Sequence, residues 1–269
     1  MRKLYALLTR HCNLKCPHCD IFTDLTYNEE YNEKQVIHQI KTFDGSVILF
    51  GGEPTLYKDR LYAALSTGNV SSISTNLLLM DEDILEIYRK LKSVATSWNP
   101  KRFSNTQYDL WKSNLKNLHF NNIRALILIT ITKDLIEIGA ENFMAIVRSW
   151  SQDIKSINRI NFEIVVDSSN TPEFHNNVDD WLCELYKIWD VPIQNQIFEN
   201  LKNGFWDYEC SKTFTMYPNG EIVTGCPHRT QLYMPTQCYT CDLIERCRPC
   251  QLQQHCSRPI KLTHLINKK

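Results

Sequence analysis

Along residues 3–191, short apolar runs alternate with stretches in which apolar positions recur every three or four residues. The runs are Lys3 to Thr9, Ser46 to Phe50, Ser71 to Thr75, Ser93 to Ser97, Ala125 to Ile131 and Asn161 to Val166. Rich in Val, Ile and Leu, they predict strands buried on both faces. Helical spacing joins Val36, Ile40 and Phe43; Leu61, Ala64 and Leu65; Ile84, Tyr88 and Leu91. It recurs in Trp111, Leu115 and Leu118; in Phe143, Val147 and Trp150; and in Leu182, Leu185 and Trp189. This alternation predicts an α/β fold with a parallel sheet and right-handed crossovers. Six units fall short of a closed eight-stranded barrel, so a partial (β/α)6 barrel or an open sheet is expected. Either places its chemistry at the C-terminal ends of the strands.

After about residue 200 the rhythm stops. Residues 204–257 hold seven cysteines and turn signals such as Pro218, Asn219 and Gly220, which suits a small domain held by metal rather than by a core. The expected division is a barrel over 1–200 and a small domain with a short tail over 201–269. Thirty Lys plus Arg balance thirty Asp plus Glu, so neither nucleic acid nor a membrane surface is an expected partner. The apolar run after Met1, Arg2 and Lys3 ends at Leu8, too short for a signal peptide or a span of about 18 residues, so a cytoplasmic protein is expected. Residues 201–269 carry nine basic and five acidic residues. A solvated basic tail explains that surplus, as does offsetting of anionic thiolates.

Cysteine changes the picture most. Of eleven, three stand at 12, 16 and 19, seven at 210, 226, 238, 241, 247, 250 and 256, and Cys183 is alone. In a chain without an export signal this favours metal over disulfides. Three thiolates at spacings of four and three can hold three irons of a cubane and leave the fourth open, whereas structural zinc wants four ligands. The motif Cys12-Asn13-Leu14-Lys15-Cys16-Pro17-His18-Cys19 follows the first strand, and Gly51-Gly52-Glu53-Pro54 ends the second. Together they resemble the CxxxCxxC and GGEP motifs of the radical S-adenosylmethionine superfamily. The resemblance implies a 4Fe-4S cluster on Cys12, Cys16 and Cys19 whose open iron is chelated by the methionine part of S-adenosylmethionine.

Gly51 and Gly52 allow close backbone approach, Glu53 offers acceptors for the ammonium, and Pro54 completes the motif. On this reading Glu53 serves cofactor binding rather than folding, and Glu53→Ala leaves thermal stability little changed. Ser74, Thr75 and Asn76 are similar to the family's TNG, with Leu77 where glycine is usual. Ser97 falls where relatives place a ribose contact, and Thr130 lies near their adenine site. His18 matches a position near the adenine, or is an idle loop residue.

The C-terminal cysteines resemble the SPASM domain of peptide- and protein-modifying radical enzymes, with Gly220-x5-Cys226 for G-x4-C and Cys247-x2-Cys250 for C-x3-C. The resemblance implies two auxiliary 4Fe-4S clusters, three in all. Cys210, Cys226 and Cys250 fall to the first, and Cys238, Cys241, Cys247 and Cys256 to the second. Seven thiolates leave one auxiliary iron open or held by another group, with Cys183 read as a buried small hydrophobe. Catalytic candidates are His228, near the position of a family base, and Glu163, expected to point into the barrel. Equally, Glu163 is the partner of a buried Arg124.

The mechanism implied is one-electron reduction of the cluster, cleavage to a 5'-deoxyadenosyl radical and hydrogen abstraction from an unactivated carbon. Implied partners are a peptide substrate, a separate leader-binding protein and a flavodoxin or ferredoxin donor. A radical dehydrogenase acting on a small molecule is the rival enzyme, and a non-catalytic zinc or iron-sulfur regulator the rival of another class.

Overall fold

The computed structural model describes residues 2–17, 19, 30–164, 172–195, 197–199, 206–207, 213–224, 247–248, 262 and 265–266. The strands are β1 (Lys3–Leu7), β2 (Ser46–Phe50), β3 (Val70–Thr75), β4 (Ser93–Trp98), β5 (Arg124–Ile131) and β6 (Ile157–Ile164), then β7 (Gln194–Asn195), β8 (Trp206–Asp207), β9 (Thr213–Met216), β10 (Ile222–Thr224) and β11 (Cys247–Arg248). The helices are α1 (Glu33–Thr42), α2 (Lys58–Ser66), α3 (Glu82–Leu91), α4 (Asn105–Phe120), α5 (Lys133–Ile138), α6 (Ala140–Asp153) and α7 (Pro172–Ile188). This is the mostly parallel α/β architecture of a partial barrel.

The chain folds as two compact units. The first comprises Met1–Ser97, Arg102–Leu126 and Cys210–His228. In it, β10, β9, β1, β2, β3 and β4 lie in that order, with the start of β5 next. β1 pairs in parallel with β2 and with β9, whereas β10 runs antiparallel to β9. Thr213–Met216 and Ile222–Thr224 therefore extend the sheet that opens the chain. Phe214 packs edge-on against Phe43, with the Arg2 guanidinium 4.6 Å from the Phe214 ring centroid.

Helix ends are written locally. Asn32 accepts from the Gln35 N–H at the start of α1, Asp81 from the Ile84 N–H at α3, and Ser104 forms a capping box with Gln107 at α4. In α3 the acidic Glu82 and Asp83 occupy the first turn and Arg89 and Lys90 the last, matching the helix dipole.

The second unit comprises Trp98–Lys101, Ile127–Glu209 and Arg229–Lys269. It holds the end of β5 and then β6 and β7, the latter two parallel. Its core is aromatic: Trp98 lies edge-on to Trp150 at 5.2 Å between centroids, and Phe143 contacts Trp150, Phe162 and Trp181. β8 and β11 form a separate parallel pair that sets Cys247 opposite Trp206.

The expectation of strands buried on both faces is corrected. β2, β3, β4 and β5 alternate buried with less buried positions, as in the pattern eBiBiBiB over Arg124–Ile131. One face packs into the core. The other carries polar side chains such as Ser74, Ser97 and Thr130 and stays partly open. β6 also begins earlier than expected, at Ile157, and Val165 and Val166 lie outside the described residues.

Candidate functional site

The site is built where β1 gives way to the cysteine loop. Leu8 N–H donates to Phe50 O at 3.0 Å, then Gly52 N–H to Thr9 O at 2.8 Å and Glu53 N–H to His11 O at 2.7 Å. A Cβ on Gly51 would lie 2.4 Å from Thr9 O. One on Gly52 would lie 2.2 Å from His11 O and 2.5 Å from Arg10 O. The close approach these glycines allow is therefore to the backbone leading into the cysteines. Arg60 Nη1 donates to Leu8 O at 2.6 Å, and its guanidinium carbon sits 4.0 Å from the Tyr31 ring centroid and 4.3 Å from that of Tyr57. The Tyr57 hydroxyl shares a hydrogen bond with His11 Nδ1.

Cys12, Cys16 and Cys19 are half-buried thiols, none of them in a disulfide. Leu14 N–H donates to Cys12 Sγ at 3.3 Å, Asn76 Nδ2 approaches the same sulfur at 3.8 Å, and Arg102 Nη1 donates to Cys16 Sγ at 3.4 Å. Burial pushes the Cys12 thiol up, aided by the charge of Glu53 and opposed by the Leu14 N–H and the Arg102 charge. A coordinating metal overrides such a shift by deprotonating the thiol. No three His, Cys, Asp or Glu among the described residues form a group suited to one metal ion. A cubane asks instead for one thiolate on each of three irons, and N–H donors aimed at sulfur suit such ligands. The residues present fit the cluster.

Glu53 is held by the protein itself. It is fully buried, and its Oε1 accepts from Thr55 N–H at 3.1 Å, Thr55 Oγ1 at 2.6 Å and Thr75 Oγ1 at 2.8 Å. Its Oε2 accepts from Asn76 N–H at 2.6 Å. A carboxylate has about four lone-pair sites, and four protein donors occupy them, so the expected acceptors for an ammonium are already engaged. Asn76, 2% exposed, is likewise turned toward the protein. Its Nδ2 donates to Asn13 Oδ1 at 2.5 Å and its Oδ1 accepts from Leu78 N–H at 3.0 Å. A hydrogen-bonded line thus runs from the Glu53 turn through the end of β3 to the cysteine loop.

Leu77 has a left-handed backbone, at φ 60°, the region that favours glycine, while its side chain is fully buried. Leu77→Gly is expected to lower stability by about 2 kcal/mol in urea unfolding. Losing the buried side chain costs about 3–5 kcal/mol, and relief of the left-handed conformation returns about 1–2 kcal/mol.

Gly51 and Gly52 are half-exposed, Pro54 is buried at the start of a 3-10 turn, and Ser74, Ser97 and Thr130 are half-exposed. Thr130 O accepts from the buried Asn99 Nδ2 at 3.1 Å. Glu163 is exposed, on the strand face opposite buried Ile160 and Phe162. Arg124 is exposed as well, which removes the expectation of a buried cation for Glu163 to neutralise. Cys183 is half-buried in α7 rather than an inert core residue, and its thiol donates to Asp179 Oδ1 at 4.0 Å. His18, His228, Cys210, Cys226, Cys238, Cys241, Cys250 and Cys256 lie outside the described residues, and Cys247 is described by its backbone in β11. Sequence reading missed Asn13, Thr55 and Arg102. The first two sit beside recognised motifs and could have been found by asking what holds them, whereas Arg102 carries no motif.

Residues 7–132 match the Radical SAM superfamily. Over 99 residues, 34% of this chain, the sequence is 41% identical to Fe-coproporphyrin III synthase of Methanosarcina barkeri (strain Fusaro / DSM 804), and the match spans 24% of that relative's length. Among solved structures, Streptococcus suis SuiB bound to S-adenosylmethionine aligns with TM-score 0.64 at 16% identity, covering 91% of this chain and 71% of SuiB. Native anSMEcpe with bound AdoMet and Cp18Cys peptide aligns with TM-score 0.66 at 15% identity, covering 98% and 94%. SuiB has also been solved bound to its precursor peptide SuiA. At these identities the structural likeness is one of fold.

Proposed function

We propose, from the match of residues 7–132 to the Radical SAM superfamily, that the chain is an enzyme taking a hydrogen atom from a ribosomal peptide or protein. The observation that supports it is the loop of three half-buried thiols, with N–H donors aimed at two sulfurs and hydrogen bonds into the ends of β2 and β3. When bound, a 4Fe-4S cluster and S-adenosylmethionine supply a 5'-deoxyadenosyl radical.

The chain's own residues supply the rest. Cys12, Cys16 and Cys19 hold the cluster. With the Glu53 carboxylate engaged, the half-exposed backbone of Gly51 and Gly52 meets the methionine end of the cofactor. Hydroxyls of Ser74 and Ser97 meet the rest of the cofactor, Ser97 at its ribose. The crosslink, epimer or oxidised residue that results is set by how the substrate is oriented and how water is excluded.

On this reading residues 201–269 form the SPASM portion. Its seven cysteines hold two auxiliary clusters with one iron open, so anaerobically reconstituted protein holds about 12 irons per chain. A flavodoxin or ferredoxin delivers the electron, and a separate protein presents the leader of the peptide. The reaction belongs to the cytoplasm, and no described helix is long and apolar enough to cross a membrane.

The local identity to Fe-coproporphyrin III synthase favours a second reading, a small-molecule substrate of tetrapyrrole type. Deuterium transfer separates the two. A deuterated candidate precursor peptide is expected to pass deuterium into 5'-deoxyadenosine. Transfer from deuterated iron coproporphyrin alone would overturn the peptide reading in favour of the second.

A further inference from the structure

We propose that Arg102 raises the reduction potential of the cluster held by Cys12, Cys16 and Cys19 by donating from its guanidinium to the Cys16 sulfur. The inference rests on the cluster reading above and adds a residue that neither cysteine motif contains.

Three observations carry it. Arg102 Nη1 stands 3.4 Å from Cys16 Sγ, a contact spanning 86 residues of sequence. Its Nε is buried and has no hydrogen-bond partner among the described residues, and none of their carboxylates forms an ion pair with it. The side chain is also held in place. Its guanidinium carbon lies 5.5 Å from the Phe103 ring centroid, Phe103 packs on the fully buried Trp111, and Trp111 Nε1 donates to Thr96 Oγ1 at 3.1 Å.

A guanidinium remains charged at any pH the protein survives. Buried donors without a carboxylate are costly to keep unless an anion meets them. The anion offered here is sulfur. Three thiolates already make the cluster net negative, and reduction adds one electron, taken from the flavodoxin or ferredoxin class of donor or from dithionite in vitro. A cation hydrogen-bonded to a ligand sulfur stabilises the more negative member of that couple, so the potential rises. Arg102 acts through Cys16 and is a positioning residue.

The test is an anaerobic redox titration of the full reconstituted chain without S-adenosylmethionine, followed by electron paramagnetic resonance. The relevant signal is the one missing from the Cys12→Ala, Cys16→Ala, Cys19→Ala triple variant. At a fixed potential, Arg102→Gln is expected to lower the ratio of reduced to oxidised cluster at least tenfold, about 59 mV for a one-electron couple. Arg102→Lys, which keeps the charge, should stay within about threefold of wild type. An unchanged ratio in Arg102→Gln with full iron content would overturn the proposal. Arg102→Met is the second neutral variant. If both neutral variants lose the cluster while Arg102→Lys keeps it, Arg102 is an anchor and the proposal fails. If the wild-type signal survives the triple cysteine substitution, the cluster reading itself is wrong, which separates the two failures.

Discussion

Glu53→Ala is expected to lower stability by about 3–6 kcal/mol and the melting temperature by about 6–24 °C. Its carboxylate is fully buried and accepts four hydrogen bonds. Truncation strands the N–H groups of Thr55 and Asn76, which are backbone and cannot turn away, together with the hydroxyls of Thr55 and Thr75. Each buried donor left without a partner costs about 1–3 kcal/mol, and each kcal/mol is worth about 2–4 °C in a chain of this size. Glu53→Gln keeps one acceptor oxygen for Thr55 and Thr75 but turns an amide N–H toward the Asn76 N–H, so it should cost about 1–3 kcal/mol. Calorimetry on the metal-free protein isolates this effect from cofactor binding. An Ala variant as stable as wild type would return Glu53 to the role of a plain cofactor ligand.

Gly52→Ala is expected to displace the cysteine loop. The added methyl would sit 2.2 Å from His11 O and 2.5 Å from Arg10 O, and both are backbone atoms, so the strand exit must move to admit it. The variant should lose the iron of the first cluster, about four irons per chain, and with it 5'-deoxyadenosine formation. Gly68→Ala supplies the control. Its Cβ meets nothing within 4 Å, so only the left-handed φ of 75° is penalised, at about 1–2 kcal/mol. If Gly52→Ala keeps full iron while Gly68→Ala loses it, the packing of the cysteine loop against the Gly51–Gly52 turn is not what positions the thiols.

The contrast between these residues shows what could be read from the chain. Period and residue type located β2 at Ser46–Phe50 as observed and picked out Val36, Ile40, Trp111, Leu115 and Phe143, all fully buried. Motif spacing found the cysteines and the glycine pair. It could not show who the neighbours are. Glu53 was legible as an acceptor, but its donors come from Thr55, Thr75 and Asn76, up to 23 residues away. The pairing of β9 with β1 was equally hidden, because Thr213–Met216 is four residues long and its register is set by partners more than 200 residues upstream. Arg102 follows β4 with no repeat, glycine or cysteine beside it, and only the fold brings it to Cys16. Leu77 shows the opposite case: a bulky residue stands in the left-handed backbone that favours glycine, and burial of its side chain outweighs the strain.

On the proposed function, Cys12, Cys16 and Cys19 hold the cluster that works with S-adenosylmethionine. The most direct measurement compares wild type with the Cys12→Ala, Cys16→Ala, Cys19→Ala triple variant, both reconstituted anaerobically and incubated with dithionite and S-adenosylmethionine, with iron counted and 5'-deoxyadenosine quantified on the same samples. Wild type should form 5'-deoxyadenosine, while the variant forms none yet keeps the iron bound by its C-terminal cysteines. Formation of 5'-deoxyadenosine by the variant at the wild-type rate would contradict the account.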